Sequence, residues 1–292
     1  MKKRLCLSFS MGETSAFMTE WCLKNLSEEY DMVVCMANTG EENEKSLEFA
    51  KKCEDYFGWD IVWLECVTNP VHGEGVSHKI VNFESASRKG EPFEAMIAKH
   101  GIPNKKFPHC NRELKLCTIQ SYLRSIGWAD YYTAVGVRID EPGRLNWKSA
   151  AENKIIYPLA THIRKTKVDI NIYWSLMPFR LELTGWEGNC KWCWKKSLRK
   201  LLTIAKNHPE HYDFPKRMEE KYGNYVPETR SQNFTLPIRF FRDNMSVDEI
   251  MEDSKFPFHE APDENSRTER QITLWDEYMD SNSGCVESCE AF

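Results

Sequence analysis

The turn after the first apolar run of the chain is rich in small and hydroxyl-bearing residues. It reads SFSMGETS, and a helix-like pattern begins directly after it. Gly12 lets a backbone approach a phosphate closely, and the hydroxyls of Ser8, Ser10, Thr14 and Ser15 can donate to it. Unpaired N–H groups and the helix dipole also attract anions to a helix N-terminus. An ordinary strand-to-helix corner fits the same pattern, so the turn alone leaves both interpretations open.

A second turn with binding potential reads NTGEENEKSLEF and follows the second apolar run. At the carboxyl end of a parallel strand, Thr39 and Gly40 would lie at the crevice where such sheets bind ligands. Thr39 or Asn43 would also cap the next helix well, and both roles can hold together.

A third segment, GVRIDEPGRL, offers two arginines after a later strand. Arg138 and Arg144 can each form bidentate, charge-assisted bonds with a phosphate. Asp140 and Glu141 either hold Mg²⁺ or orient the two arginines. A surface ion-pair cluster of little energetic value is the alternative interpretation.

Two pairs of cysteines have spacings that suit a metal or a cluster. Cys190-x-x-Cys193 is a two-ligand clamp, because that spacing lets both sulfurs face one metal. Cys110 and Cys117 bracket NRELKL at the start of a predicted helix, with His109 as an alternative ligand. Four thiolates suit a tetrahedral Zn²⁺ as well as a [4Fe–4S] cluster, and thiols that pack as small hydrophobes are the remaining interpretation.

Basic residues follow the second cysteine pair and alternate with aromatic ones in KWCWKKSLRK. Such a segment can follow a nucleic-acid backbone, and Lys195 and Lys196 can reach a nucleotide phosphate. A solvated amphipathic helix, with its leucines facing the core, is the alternative.

The elements that must position these segments alternate between strands and helices. Strands are predicted over 4–9, 31–37, 59–66, 131–137 and 154–157, and helices over 14–26, 42–56, 112–126, 166–177, 195–206 and 209–222. Thr166 and Asp169 resemble a capping box. Residues 68–110 are predicted as a long irregular excursion over the sheet edge. The alternation predicts an α/β fold, with a mainly parallel twisted sheet and helices on both faces. We expect a catalytic domain over residues 1–205, and a helical extension with a polar tail over 206–292.

Composition and missing motifs exclude several classes of protein. The 292 residues include 41% hydrophobic and 28% charged ones, which is ordinary for a globular chain, and no apolar window is long enough to span a membrane. The net charge of −5 argues against a general polyanion binder. No Gly-Lys-Ser/Thr follows the first turn, and the three glycines of a dinucleotide-binding turn are missing. We expect a cytoplasmic protein, and one that forms a homo-oligomer.

Taken together, in this order, the four segments resemble the phosphoadenosine phosphosulfate (PAPS) reductase family of the PP-loop ATP pyrophosphatase superfamily. The phosphate loop of that superfamily reads Ser-Gly-Gly-x-Asp/Thr-Ser, and SMGETS stands in its place here, with Met11 at the first glycine. The resemblance extends over residues 3–200. It implies a nucleotide, ATP or PAPS, with Mg²⁺, and it favours a [4Fe–4S] cluster over Zn²⁺ at Cys110, Cys117, Cys190 and Cys193. It also implies catalytic roles for Arg138 and Arg144, and nucleotide contacts from the first turn, Thr39 and Gly40. With these we expect a catalytic role for Asp140 and nucleotide contacts from Gly136 and Lys195.

The resemblance implies two enzymatic activities and leaves a third, non-enzymatic role open. The first is cleavage of ATP between its α and β phosphates, coupled to sulfur transfer with nucleic acid as one acceptor. The second is sulfonucleotide reduction with release of sulfite and a thioredoxin-like partner. Its usual C-terminal Glu-Cys-Gly-Leu/Ile-His motif is absent, although Cys285 and Cys289 lie in the tail. The third is a nucleotide-sensing module with structural zinc.

Overall fold

A six-stranded sheet forms the centre of the computed structural model, which describes residues 2–71, 73–188, 190–227 and 235–266. The strands are β1 (Lys3–Ser8), β2 (Tyr30–Asn38), β3 (Ile61–Thr68), β4 (Val76–Val81), β5 (Tyr132–Ala134) and β6 (Ile155–Ile156). Their order is β4-β3-β2-β1-β5-β6, and every pair is parallel except β3 with β4. The predicted α/β class with a mainly parallel sheet is therefore confirmed.

Ten α-helices lie in the described part of the chain. They are α1 (Glu13–Asn25), α2 (Glu44–Phe57), α3 (Glu91–His100), α4 (Cys117–Ser125), α5 (Trp147–Glu152), α6 (Pro158–Thr161), α7 (Lys167–Ser175), α8 (Leu198–Asn207), α9 (Asp213–Tyr222) and α10 (Val247–Asp253). A π-helical turn, Arg112–Leu116, leads into α4. The predicted capping box is present at the start of α7, where Thr166 and Asp169 bond each other's backbone N–H groups.

Helices cover both faces of the sheet. Alternate residues of each strand face opposite sides, so neighbouring residues of one strand pack against different helices. Leu5 and Leu7 of β1 belong to a cluster that includes residues of α1, α2 and α7. Cys6, which lies between them, packs instead with Ile119 and Leu123 of α4. The mostly apolar strands are thus those of a sheet that is buried on both sides.

Residues 68–110 were predicted to form one long irregular excursion, and for part of this segment the prediction is wrong. It contains β4, which pairs antiparallel with β3, and it contains α3. In β4 exposed polar residues alternate with half-buried ones, which is typical of an edge strand and gives a weak hydrophobic signal.

The C-terminal helices share one core with earlier parts of the chain. Phe93 of α3 and Trp192 pack with residues of α8, α9 and α10 in a single cluster. The boundary predicted after residue 205 falls inside α8.

Candidate functional site

A cleft opens where the turn after β1 meets the loop after β5. In the sheet, β2 and β3 lie on one side of β1, and β5 and β6 lie on the other. The carboxyl ends of β1 and β5 therefore flank the point at which the strand order changes direction. In open parallel sheets, ligands bind in this crevice. The cleft and the solvent-filled space at its mouth measure about 990 Å³ together, and residues 10–15 line it.

The turn after β1 is closed by its own serines. The Ser15 hydroxyl accepts from the Ser10 N–H at 3.1 Å and from the Ser10 hydroxyl at 3.0 Å, and it donates to the Gly12 carbonyl at 3.0 Å. Met11 has φ 60°, the left-handed conformation that glycine adopts most readily, and its side chain is 2% exposed. Met11 therefore takes the backbone conformation of a glycine while it fills the core.

The first turn of α1 faces this cleft without a side-chain cap. Gly12 is its N-cap residue and supplies no side-chain hydrogen bond to the start of the helix. The nearby Glu13 carboxylate turns away to Arg180, at 3.0 and 3.1 Å, and to the Leu181 N–H at 3.2 Å. Burial raises the pKa of Glu13, and Arg180 opposes that rise. The positive end of the α1 dipole is therefore directed into the cleft, as an anion requires.

Arg138 is held rigidly by acidic side chains from its own loop. It is 4% exposed, its Nε donates to Asp140 Oδ1 at 3.0 Å, and its backbone N–H donates to Glu141 Oε2 at 2.9 Å. Its Nη1 reaches across to Thr14 Oγ1 of the first turn at 3.3 Å. Glu141 Oε1 accepts from Arg144, and Asp140 Oδ2 accepts from the Lys167 N–H at 2.9 Å.

All four carboxylate oxygens of Asp140 and Glu141 thus accept from protein donors. Of the two roles that the sequence left open for these residues, the structure supports orientation of the arginines. Mg²⁺ requires near-ideal octahedral geometry from oxygen ligands, and these oxygens do not fit such a site. We therefore derive no step through Mg²⁺ held by this loop.

The lining of the cleft is strongly basic although the chain is acidic overall. Two acidic residues, Glu13 and Glu264, line it together with six basic ones: Arg138, Arg144, Lys167, Lys195, Lys196 and Lys200. Lys196 Nζ also donates to the carbonyls of Glu187 and Cys190 at 3.0 Å each, so it fixes the loop beside the cleft. Focused positive charge in a concave site favours a polyanionic ligand.

The far wall of the cleft was not predicted from the sequence. Lys167 begins α7, and its Nζ donates to Asn265 Oδ1 at 2.6 Å. Asn265 Nδ2 donates to the Leu183 carbonyl at 2.8 Å, and the Gly185 N–H donates to Asp263 at 2.8 Å. A segment far along the chain therefore returns to the cleft, and no local pattern announces such a return. A lysine directly after a helix cap was the one signal that could have identified Lys167.

Most of the predicted site residues line this cleft. Among the described residues, the lining includes Ser10, Gly12, Thr14, Ser15, Gly136, Arg138, Arg144, Lys195 and Cys193. It does not include Ser8, Thr39, Gly40, Asp140, Cys110, Cys117 or Cys190.

Thr39 and Gly40 take part in packing beside the cleft. The Thr39 N–H and hydroxyl donate to the Glu42 carboxylate at 2.8 to 3.0 Å, and Asn43 caps α2. Gly40 has φ 83°, and a Cβ there would meet the backbone of Gly90 at 3.0 Å. Their nucleotide role stays a prediction.

Only part of the predicted metal site comes together: Cys110 lies close enough to Cys190 to contribute to the raised pKa of its thiol. Cys190 Sγ lies 3.7 Å from Thr39 Oγ1, and removal from water raises the pKa of its thiol to about 12. Cys117 lies beside the buried Cys66, whereas Cys193 lines the cleft. Tetrahedral zinc, with Zn–S bonds of about 2.3 Å, needs sulfurs within about 4 Å of one another. In the described part of the chain, no three of these cysteines lie within 4.8 Å. The zinc or iron–sulfur site stays a prediction.

The fold and the cleft define a class: an α/β protein whose mostly parallel sheet carries a basic cleft at a switch in strand order. The chain matches no family model. Among curated proteins it is similar to an uncharacterized nin region protein, ORF290, of Escherichia phage lambda, with 28% identity over 205 residues. The match covers 69% of this chain and 69% of the phage protein. None of the helices that the structure describes has the length and apolar character that a bilayer span requires.

Proposed function

We propose that the cleft binds the phosphates of an adenine nucleotide, and that the protein cleaves ATP between its α and β phosphates. One observation carries this proposal: the uncapped N-terminus of α1 and six basic side chains meet in a single cleft. Backbone N–H groups and guanidinium groups are the donors that suit phosphate oxygens. The resemblance to PP-loop pyrophosphatases supports the choice of ATP and of the bond that is cleaved.

The chemical step places negative charge on the departing pyrophosphate. A nucleophilic atom of the acceptor attacks the α phosphorus, and the bond from this phosphorus to the bridging oxygen breaks. The bridging oxygen keeps the electron pair and leaves with pyrophosphate, while the acceptor carries the adenylyl group. Arg138 and Arg144 offset the charge that grows on the leaving group. Because Asp140 and Glu141 already hold Arg138 in place, little reorganisation is needed during the reaction.

The adenylated acceptor would then receive sulfur. A sulfur nucleophile displaces AMP from the adenylated carbon, and AMP leaves with the electron pair of the broken C–O bond. Nucleic acid is the acceptor class that we favour, because the half-buried Lys195 extends the basic lining beyond the phosphate turn.

Product analysis tests this proposal directly. The protein is incubated with ATP, Mg²⁺, sulfide and total nucleic acid, and the nucleotides are separated. We expect AMP and pyrophosphate, with a rate about 10²- to 10³-fold lower for Arg138→Ala. Arg124→Ala, at an exposed position of α4, is the matched control. Formation of ADP and phosphate would contradict α–β cleavage, and tight ATP binding without turnover would indicate a nucleotide sensor.

Sulfonucleotide reduction is the second candidate, because Cys193 lines the cleft. Its thiolate would attack the sulfur of a bound PAPS, forming an S–S bond as the nucleoside phosphate leaves with the electron pair of the broken O–S bond. A thioredoxin-like dithiol would then release sulfite and become oxidised. Sulfite release that is lost in Cys193→Ser would select this activity over the first.

A further inference from the structure

The connection between α8 and α9 brings two histidines and a glutamate together, and none of the three lines the cleft. One nitrogen of His208, one of His211 and one carboxylate oxygen of Glu210 all lie within 4.8 Å of one another. Glu210 Oε1 is 3.3 Å from His208 Nδ1 and 3.9 Å from His211 Nε2. The two imidazole rings stack with centroids 4.9 Å apart and planes 16° apart.

Local backbone geometry accounts for this arrangement. His208 precedes a 3₁₀ helix, Pro209–Tyr212, in which Pro209 occupies the first turn. A 3₁₀ helix has three residues per turn, so side chains three positions apart lie on the same side. Tyr212 is 2% exposed and donates its hydroxyl to the Leu201 carbonyl at 2.8 Å, which anchors the turn to α8. The donor atoms are therefore set by a rigid element.

The environment of these side chains suits a metal ion. The His211 side chain is 13% exposed, so it forms the inner side of the cluster, whereas His208 and Glu210 lie nearer to solvent. His211 Nδ1 is buried and has no hydrogen-bond partner among the described residues. Imidazole is the commonest metal ligand in proteins and binds through either ring nitrogen, and Nε2 is the nitrogen of His211 that lies 3.9 Å from Glu210 Oε1.

We propose that His208, Glu210 and His211 form a binding site for a divalent transition-metal ion of the Zn²⁺ class. Imidazole nitrogen favours Zn²⁺, Cu²⁺ and Ni²⁺ over Ca²⁺ and Mg²⁺, which prefer oxygen ligands. A pair of imidazoles with one carboxylate leaves room for a water or a fourth ligand. The site is separate from the predicted cysteine site and does not depend on the proposed nucleotide chemistry.

This metal would connect the C-terminal helices to the wall of the cleft. His208 Nε2 lies 3.7 Å from Glu187 Oε1, and the other oxygen of Glu187 accepts from the Thr184 N–H and hydroxyl at 2.9 Å each. Thr184 and Gly188 line the cleft. An ion at His208 would therefore fix the Thr184–Gly188 wall, and we expect it to raise the melting temperature of the whole chain.

The test uses Co²⁺ and Zn²⁺ added to chelator-stripped full-length protein. Thiolate ligands give Co²⁺ an intense near-ultraviolet charge-transfer band, whereas imidazole and carboxylate ligands do not, so the spectrum separates this site from the cysteines. We expect one Co²⁺ per chain bound without that band, and displaced by Zn²⁺. Its affinity should fall by at least about 10-fold in His208→Ala and Glu210→Gln. His162→Ala, at the exposed C-terminal end of α6, should bind as the wild type does.

Two results would overturn the proposal. One is wild-type Co²⁺ affinity in both His208→Ala and Glu210→Gln. The other is binding that shows only the thiolate band and that the substitutions do not change. Both substituted side chains are substantially exposed, at 38% and 61%, and Glu210→Gln preserves shape. Unchanged circular dichroism of these variants ensures that the loss of metal is not a loss of fold.

Discussion

Met11 allows the conformation of the phosphate turn to be tested by stability alone. Its left-handed backbone costs an L-residue about 1–2 kcal/mol relative to glycine. Its side chain is nevertheless buried in the main core, and truncation of a buried methionine to alanine costs about 2–5 kcal/mol. Replacement of Met11 by glycine relieves the backbone strain but loses the buried side chain. Comparison of an alanine variant with a glycine variant separates these two contributions to the free energy of unfolding.

We predict that Met11→Ala lowers the free energy of unfolding by about 2–5 kcal/mol. Met11→Gly should be more stable than Met11→Ala by about 1–2 kcal/mol, because glycine removes the left-handed strain. In ordinary helical positions the order is the reverse, with glycine about 0.5–1 kcal/mol less stable than alanine. Urea unfolding at pH 7 measures both differences.

Met18 is the matched control, since it is fully buried within α1 and belongs to the same cluster. There we expect Met18→Ala to be more stable than Met18→Gly. If Met11→Gly proved no more stable than Met11→Ala, the left-handed backbone conformation at Met11 would be refuted.

Three further substitutions probe the cleft and its support. Glu141→Gln should lower the rate of pyrophosphate release at least about 10-fold while the ATP dissociation constant changes little, because the arginines stay but lose their alignment; steady-state kinetics measures this split. Lys195→Ala should weaken ATP binding about 2- to 5-fold at low salt, and the difference should shrink in titrations at 1 M salt, where the Debye length is about 3 Å. Gly90→Ala should destabilise the fold by about 2–5 kcal/mol in urea, because φ is 79° and the added Cβ would overlap the Phe214 ring.

Matched variants distinguish these effects from general ones. Glu152→Gln and Lys79→Ala alter exposed charges outside the cleft lining, and should leave the kinetics and the salt dependence unchanged. Gly58→Ala introduces strain at φ 69° with open space around the Cβ, and should cost only about 1–2 kcal/mol. Equal losses in Gly58→Ala and Gly90→Ala would contradict the predicted clash.

Local sequence patterns predicted the sheet and the floor of the cleft because both depend on short-range order. The apolar runs of β1 and β2, the Thr166–Asp169 capping box and the hydroxyl-rich turn are each encoded within a few residues. The edge strand β4 was missed because exposed polar residues dilute its pattern.

The sequence did not predict which residues that are distant along the chain meet in space. Asn265 bonds Lys167 across almost a hundred positions, and no local pattern relates the two residues. Cysteine spacing likewise shows which sulfurs are neighbours along the chain, but not which loops meet in space. Cys190 is placed against the β2–α2 turn, whereas Cys193 lines the cleft.

Calorimetric titration of ATP into the wild type, Arg138→Ala and Arg124→Ala tests the central claim most directly. We predict one ATP per chain for the wild type and for Arg124→Ala. Arg138→Ala should bind at least about 10-fold more weakly, because a charge-assisted hydrogen bond to phosphate contributes about 1.5–3 kcal/mol. Equal affinity in all three proteins would contradict the assignment of this cleft as the nucleotide-phosphate site.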